Sequence, residues 1–298
     1  MMIRPAAFDY NTQTAASNRM QGSAGAVPEA AGLALQEFDT AVASLRGAGV
    51  QVCVVEDEPV PPKPDAVFPN NWVSWEADGT VVLYPMCAPN RRLERRPGIL
   101  EDVAQACGYS IRRLLDLSAF EAQGRYLEGT GSLVLDHCAR RAFACRSVRT
   151  DEWLVRHWAD LLGYEAVVFD AVDDAGVPFY HTNVILSIGH RVAVVAGDAI
   201  APADRETVLS ALADGGRDVI EIDQAAVAGF AGNMLEVMSV TGNAIYVLSA
   251  RAEQVLPALS RARLAGGTDR LLPLAIPTLE RLGGGSVRCM LAEVFCPA

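Results

Sequence analysis

Four times along the chain the same order can be read: two alternating strands about a tight turn, a helical stretch, then one more strand. In the first cycle, 71–86 alternates about Asp78-Gly79. A helix over 91–107, interrupted at Pro97 and stopped by Gly108, precedes a strand at 110–117. The second pairs a hairpin at 132–147, turning near Ala139-Arg140, with a helix capped by Asp151 and ended by Gly163; a strand at 165–172 follows. The third has a hairpin at 184–196 about Gly189-His190, a helix from Pro202 to Gly215-Gly216 and a strand at 218–222. The fourth has a hairpin at 234–248 about Gly242-Asn243, a helix at 251–264 and a strand at 271–275.

The start of the chain supplies a partial cycle: a strand at 2–8, a helix at 29–46 and a strand at 50–56. If the last apolar run, 290–296, pairs with the first strand, a fifth unit closes. Cycles about 50 to 60 residues apart that each bury a face only against a neighbour predict an α/β fold closed on itself, a five-bladed propeller with pseudo-fivefold symmetry. Closure leaves few bare sheet edges. The expectation is one domain over 1–298. The alternative, an ordinary two-domain α/β protein, has only the Pro-rich EPVPPKPD (58–65) to serve as a linker, and that stretch runs straight into the next cycle.

With 51% apolar and 20% charged residues in 298, a large core is within reach. The net charge of −11 argues against nucleic acid or an anionic membrane as partner, because phosphates require clustered Lys and Arg. No basic segment leads an apolar one at the start, and no apolar run reaches about 18 residues, so the expected location is the cytoplasm. Seven cysteines (53, 87, 107, 138, 145, 289, 296) lack the spacing of a zinc site, so reduced thiols are expected, with no metal and no cofactor. Only Cys87 and Cys289 stand beside turn-forming and basic residues.

Chemistry-bearing residues recur at the start of each hairpin. DAVFPNNW (65–72) precedes one, LEGTG with Glu128 another, YHTN with His181 a third and AGNM with Asn233 a fourth. Cys289 opens the closing run after a glycine-rich turn, in GGGSVRCM. In a closed radial fold equivalent junctions meet about the axis, so a thiol, an imidazole, a carboxylate and several amides would share one cleft. A thiol is mostly protonated at neutral pH and needs a nearby cation to become a nucleophile. An imidazole can supply that charge and then shuttle a proton. Taken singly, Cys289, His181 and Glu128 each have an ordinary structural reading.

Together, LEGTG, His181 and GGGSVRCM resemble the guanidine-modifying enzyme superfamily: arginine deiminases, dimethylarginine dimethylaminohydrolases and amidinotransferases, which share a five-bladed α/β propeller, the pentein fold. The resemblance implies that Cys289 is the nucleophile, His181 the general acid–base and Glu128 the carboxylate that grips substrate nitrogens. It implies substrate contacts from the Asp-x-x-Phe stretch, Asp65 and Phe68, and from the two positions that follow Pro69. There this chain carries Asn70 and Asn71 where dimethylarginine hydrolases carry acids. Arginine deiminases carry His-x-Asp where this chain has His181-Thr182-Asn183. Both departures exchange a carboxylate for an amide.

A guanidinium is a permanent cation that needs carboxylate partners when buried, whereas a ureido group is neutral and both donates and accepts, as asparagine does. The exchanges therefore favour citrulline over arginine. VFPNNW, HTN and the opening RPAAFDYNTQTA also look like the citrulline-utilisation hydrolases. For the amino-acid carboxylate, the resemblance points to Arg91 or Arg92 and to Arg149 as bidentate partners.

The expected activity is metal-free hydrolysis of citrulline to ornithine, carbon dioxide and ammonia through a covalent cysteine intermediate. Arginine deiminase, dimethylarginine hydrolase and amidinotransferase activities are the alternatives within the chemistry, and a non-catalytic amino-acid sensor is the alternative outside it. The expected partner is a small amino acid, with a homodimer left open.

Overall fold

The computed structural model describes residues 1–22 and 29–295. Its described residues form an α/β fold of five small sheets. The chain divides into two compact units. One comprises Met1–Thr130, Ile276–Gly285 and the chain from Cys289 onward; the other comprises Gly131–Ala275 with Ser286–Arg288.

In the first unit, strand β1 (Met2–Arg4), helix α1 (Ala30–Gly47) and strand β2 (Val54–Glu56) form a parallel crossover, with Ile3 opposite Val55. β3 (Val73–Trp75) and β4 (Thr80–Leu83) form the expected hairpin, its turn closed by Gly79 at φ 92° and by Asp78 accepting from the Thr80 amide. Helix α2 (Leu100–Cys107) then leads to β5 (Arg113–Asp116), parallel to β4. Trp72, Trp75, Val81, Leu83, Leu100, Val103 and Tyr109 pack into one apolar core with Met1, Ile3 and Ala292. The one-turn helix α3 (Gly129–Ser132) follows.

The second unit repeats the pattern three times. β6 (Val134–Asp136), β7 (Arg141–Cys145), α4 (Glu152–Leu162) and β8 (Glu165–Phe169) form the first repeat. Asp151 accepts from the Leu154 amide at 2.9 Å and Gly163 ends α4 at φ 70°, both where the sequence placed them. Leu154, Val155, Trp158, Ala159 and Leu162 line the buried face of α4. β9 (Leu186–Ile188), β10 (Val192–Val195), α5 (Pro202–Ala213) and β11 (Asp218–Glu221) form the second, followed by a short helix α6 (Gln224–Ala228). β12 (Leu235–Met238), β13 (Ala244–Ser249), helices α7 (Ala250–Val255) and α8 (Ala258–Gly266), and β14 (Arg270–Leu274) form the third. In each three-stranded sheet a hairpin is extended by a strand parallel to its second member, because the crossover helix returns the chain in the same sense.

Helix α9 (Pro277–Gly283) belongs to the first unit. Its first-turn amides at Thr278 and Leu279 donate to the Glu37 carboxylate of α1 at 2.9–3.0 Å, so a neighbouring helix satisfies donors that otherwise lack partners.

Several boundaries differ from the sequence reading. The helix expected over 91–107 is two 3₁₀ turns, Pro89–Glu94 and Pro97–Ile99, ahead of α2, since Pro97 cannot donate. Pro257 likewise splits the helix expected over 251–264 into α7 and α8. The closing run is not a regular strand. Cys289 lies in a 3₁₀ turn, Val287–Met290, and 291–295 have no regular secondary structure; Cys296 lies outside the described residues. The run still pairs with the start of the chain. The Met1 amine donates to the Ala292 carbonyl at 2.8 Å, and the Ala292 amide donates to Met1 at 3.1 Å. Among the described residues no helix is long and apolar enough to cross a membrane.

Candidate active site

Pro69 opens a 3₁₀ turn, Pro69–Asn71, that buries both asparagines. The EGTG segment lies against this turn. A side chain at Gly129, whose φ is 48°, would bring its Cβ to 2.2 Å from the Asn70 carbonyl oxygen, so only glycine permits the approach. Thr130 donates its hydroxyl to the same oxygen. The motif therefore fixes Glu128 next to the asparagines. Glu128 is fully buried and accepts from the Cys87 amide at 3.0 Å.

Arg91 is at the centre of this cluster, sealed from solvent. Its Nε and Nη2 each donate at 2.9 Å to the two oxygens of Glu94, a fork-to-fork pair, and Nη1 donates to Asn71 Oδ1 at 2.8 Å. Asp65 and Glu128 complete the ring of charge at 3.6 and 3.7 Å. Burial alone would weaken the Arg91 cation, but Glu94, Asp65 and Glu128 outweigh it and hold the proton more tightly than usual. Glu94 pushes the other way. Burial raises its carboxyl to about 7 against the pull of Arg91, and Asp65 and Glu128 add to the rise.

The two asparagines are the unusual members. Neither the oxygen nor the nitrogen of the Asn70 side chain has a hydrogen-bond partner among the described residues, and Asn71 Nδ2 has none. Burying an amide so costs free energy unless something else fills the bonds, which is what a ligand does. Arg92 takes no part in this cluster. It is partly exposed, donates to the carbonyls of Met86 and Cys87 and pairs with Glu121.

Cys289, in the same unit, is 3% exposed. The Phe68 ring lies where side chains at Gly283 and Gly285 would be, and Gly285 faces the Cys289 Cβ. Phe68 thus braces the turn that carries the thiol as well as leading into Pro69–Asn71. The opening segment ties both parts together. Asn11 donates to Asp65 at 2.7 Å and accepts from Asn90, Thr14 lies 3.4 Å from the same Asp65 oxygen, Asn18 donates to the carbonyls of Gly283 and Gly284, and Gln21 donates to that of Leu282.

In the second unit His181 is 1% exposed, in extended backbone just before a 3₁₀ turn, Thr182–Val184, that buries Asn183. Thr182 fixes the turn by donating to the Ser132 carbonyl and accepting from the Cys145 amide. Asn233 donates to the Asn183 carbonyl at 2.9 Å. The buried Arg149 guanidinium lies 4.9 Å above the Tyr180 ring, which tilts against His181 at 4.7 Å between ring centroids. Among the described residues no cluster of three or more His, Cys, Asp or Glu is placed to hold a metal ion.

Sequence reasoning missed Glu94, Asn11, Thr14, Asn18 and Gln21. The available signal was an opening stretch, NTQTAASNRMQ, rich in amides and hydroxyls yet with one charge, an odd composition for a solvated loop.

The model of the family described as N,N dimethylarginine dimethylhydrolase, eukaryotic, matches residues 4–296. No curated protein matches in a comparison by sequence. Among solved structures, ArgZ, an arginine dihydrolase from the ornithine–ammonia cycle in cyanobacteria, superposes with a TM-score of 0.74 at 16% identity over 99% of this chain and 40% of its own. This chain therefore spans well under half of that enzyme, although it covers 95% of ArgZ's separately solved N-terminal domain. AgrE bound to ornithine and NAD⁺ gives a TM-score of 0.74 at 20% identity over 100% of this chain and 39% of its own. A dimethylarginine dimethylaminohydrolase bearing an S-methyl-L-thiocitrulline adduct gives 0.64 at 17% identity over 97% and 96%. At these identities the likenesses show a shared fold. The family match over nearly the whole length shows more: the chain belongs to the N,N dimethylarginine dimethylhydrolase family.

Proposed function

We propose that the chain hydrolyses the ureido group of citrulline to ornithine, carbon dioxide and ammonia. The observation that carries this reading is the pair of buried amides, Asn70 and Asn71, whose Nδ2 groups have no partner among the described residues. Two buried N–H donors require an acceptor. A ureido carbonyl supplies one, whereas a guanidinium offers only donors and would leave both unsatisfied. Asn70 Oδ1 is equally available to a ureido N–H.

In this reading the Cys289 thiolate attacks the ureido carbon while the amides take up the charge developing on its oxygen. His181 protonates the departing ornithine nitrogen, leaving a carbamoyl thioester on Cys289. It then takes a proton from water, which releases carbamate and restores the thiol; carbamate decomposes to carbon dioxide and ammonia. Glu128 holds the substrate nitrogens. Arg149, stacked on Tyr180, is the partner for the amino-acid carboxylate, and Asn183 a further amide contact. Arg91 is committed to Glu94 and Asn71, and Arg92 to backbone carbonyls and Glu121. The same reading makes the chain one five-bladed α/β propeller domain working in the cytoplasm. Five sheets and the mutual bonds of Met1 and Ala292 support the propeller.

Arginine is the second reading, favoured by three carboxylates, Asp65, Glu94 and Glu128, around a single guanidinium. Incubation with citrulline, arginine, methylated arginines and agmatine, with product mass analysis, decides between them. Consumption of citrulline with equimolar ornithine, abolished by Cys289→Ser, is the expected result. Conversion of arginine with citrulline inert overturns it. Transfer to added glycine reveals an amidinotransferase, and ligand binding without turnover a sensor.

A further inference from the structure

Which way the Asn71 amide faces is set by its neighbour. A guanidinium only donates, so the Asn71 atom 2.8 Å from Arg91 Nη1 is the carbonyl oxygen. The amide nitrogen therefore points away from Arg91, and it is this nitrogen that lacks a partner among the described residues. Arg91 holds the oxygen only while its own plane is fixed, and that plane is fixed by Glu94. Both carboxylate oxygens of Glu94 accept at 2.9 Å, in a pair with side chains 3% and 1% exposed. Asp65 and Glu128, at 3.6 and 3.7 Å, attract the charge of Arg91 but do not grip it in the same fork.

We infer that Glu94 is a positioning residue that sets substrate choice: by clamping Arg91 it makes Asn71 present an N–H to the substrate and so selects a carbonyl over an amidinium at the reacting carbon. This rests on the ureido reading above. Without Glu94, Arg91 can turn, the Asn71 amide can reverse, and its oxygen can accept from a guanidinium instead.

The test is the ratio of citrulline to arginine affinity, measured by calorimetry in the non-turning-over Cys289→Ser protein. The same measurement is repeated with Glu94→Gln, with Asn71→Ala and with both. Glu94→Gln is expected to lower the ratio about tenfold, as for loss of one oriented buried hydrogen bond. In the Asn71→Ala background it should change the ratio little. A pure charge effect has the opposite sign, because losing a carboxylate penalises the cation, and a purely structural role weakens both ligands alike. A ratio that is unmoved, that rises, or that shifts equally without Asn71 overturns the inference. Arg91→Lys, which keeps the charge but cannot bridge Glu94 and Asn71, should reproduce the fall if Glu94→Gln unfolds. If the parent Cys289→Ser protein prefers arginine, or binds neither ligand, the ureido reading itself fails and the inference with it.

Discussion

Burial raises the Glu94 carboxyl to about 7 against the pull of Arg91, and Asp65 and Glu128 add repulsion, so its two-oxygen grip on Arg91 is complete only above that pH. Its carboxyl titrates at about 7 in the folded chain against 4.5 in a free carboxylate. The folded protein thus keeps a proton that the unfolded chain has released, so this group's contribution to stability declines as pH rises from about 4.5 to about 7. The change is on the order of 3 kcal/mol. Glu94→Gln should flatten that part of the stability–pH profile, and chemical denaturation at several pH values measures it.

Cys53 invites a second prediction. A hydrogen bond from Cys107 lowers its thiol to about 6; partial burial opposes the shift, and the Met1 ammonium and Arg46 favour it. Limited alkylation near pH 7 should therefore label Cys53 rapidly. Cys53→Ser should remove that fast phase without altering turnover, leaving Cys289 as the thiol that substrate protects; peptide mapping reads both. Sequence could not single out these residues. Glu94, among arginines, reads as a solvated face, and the partners that bury it lie as far off as Asp65 and Asn71.

Among elements, those with local instructions were legible. Asp78-Gly79 and Gly242-Asn243 turn their hairpins, with Gly79 and Gly242 at φ 92° and 81°, and Asp151 and Gly163 bound α4 as read. What was missed depends on contacts far along the chain. The opening segment is held by side-chain bonds to Asp65 and to the turn at 282–284, and it has no apolar period to announce it. EGTG was legible as a motif but not in its cause, which is the close passage of one backbone over another. Gly129→Ala should therefore act at a distance: a Cβ 2.2 Å from the Asn70 carbonyl forces the Pro69–Asn71 turn away from Glu128. At least tenfold loss of turnover is expected, with destabilisation above the roughly 1 kcal/mol of a strained φ alone, measured by steady-state kinetics beside thermal melting.

At the scale of the molecule, the recurring hairpin, helix and parallel strand could be read from periodicity because each sheet uses consecutive chain. The first unit is the exception, since it is assembled from both ends of the sequence. Asn18 bonds to Gly283 across 265 positions, and no local pattern encodes such a pairing. On a ribosome, the segment from Gly131 to Ala275 can collapse as it emerges, while Asn18 must wait for a carbonyl made 265 positions later. The first unit thus closes through contacts of far greater sequence separation than the second, and should be the slower of the two to form.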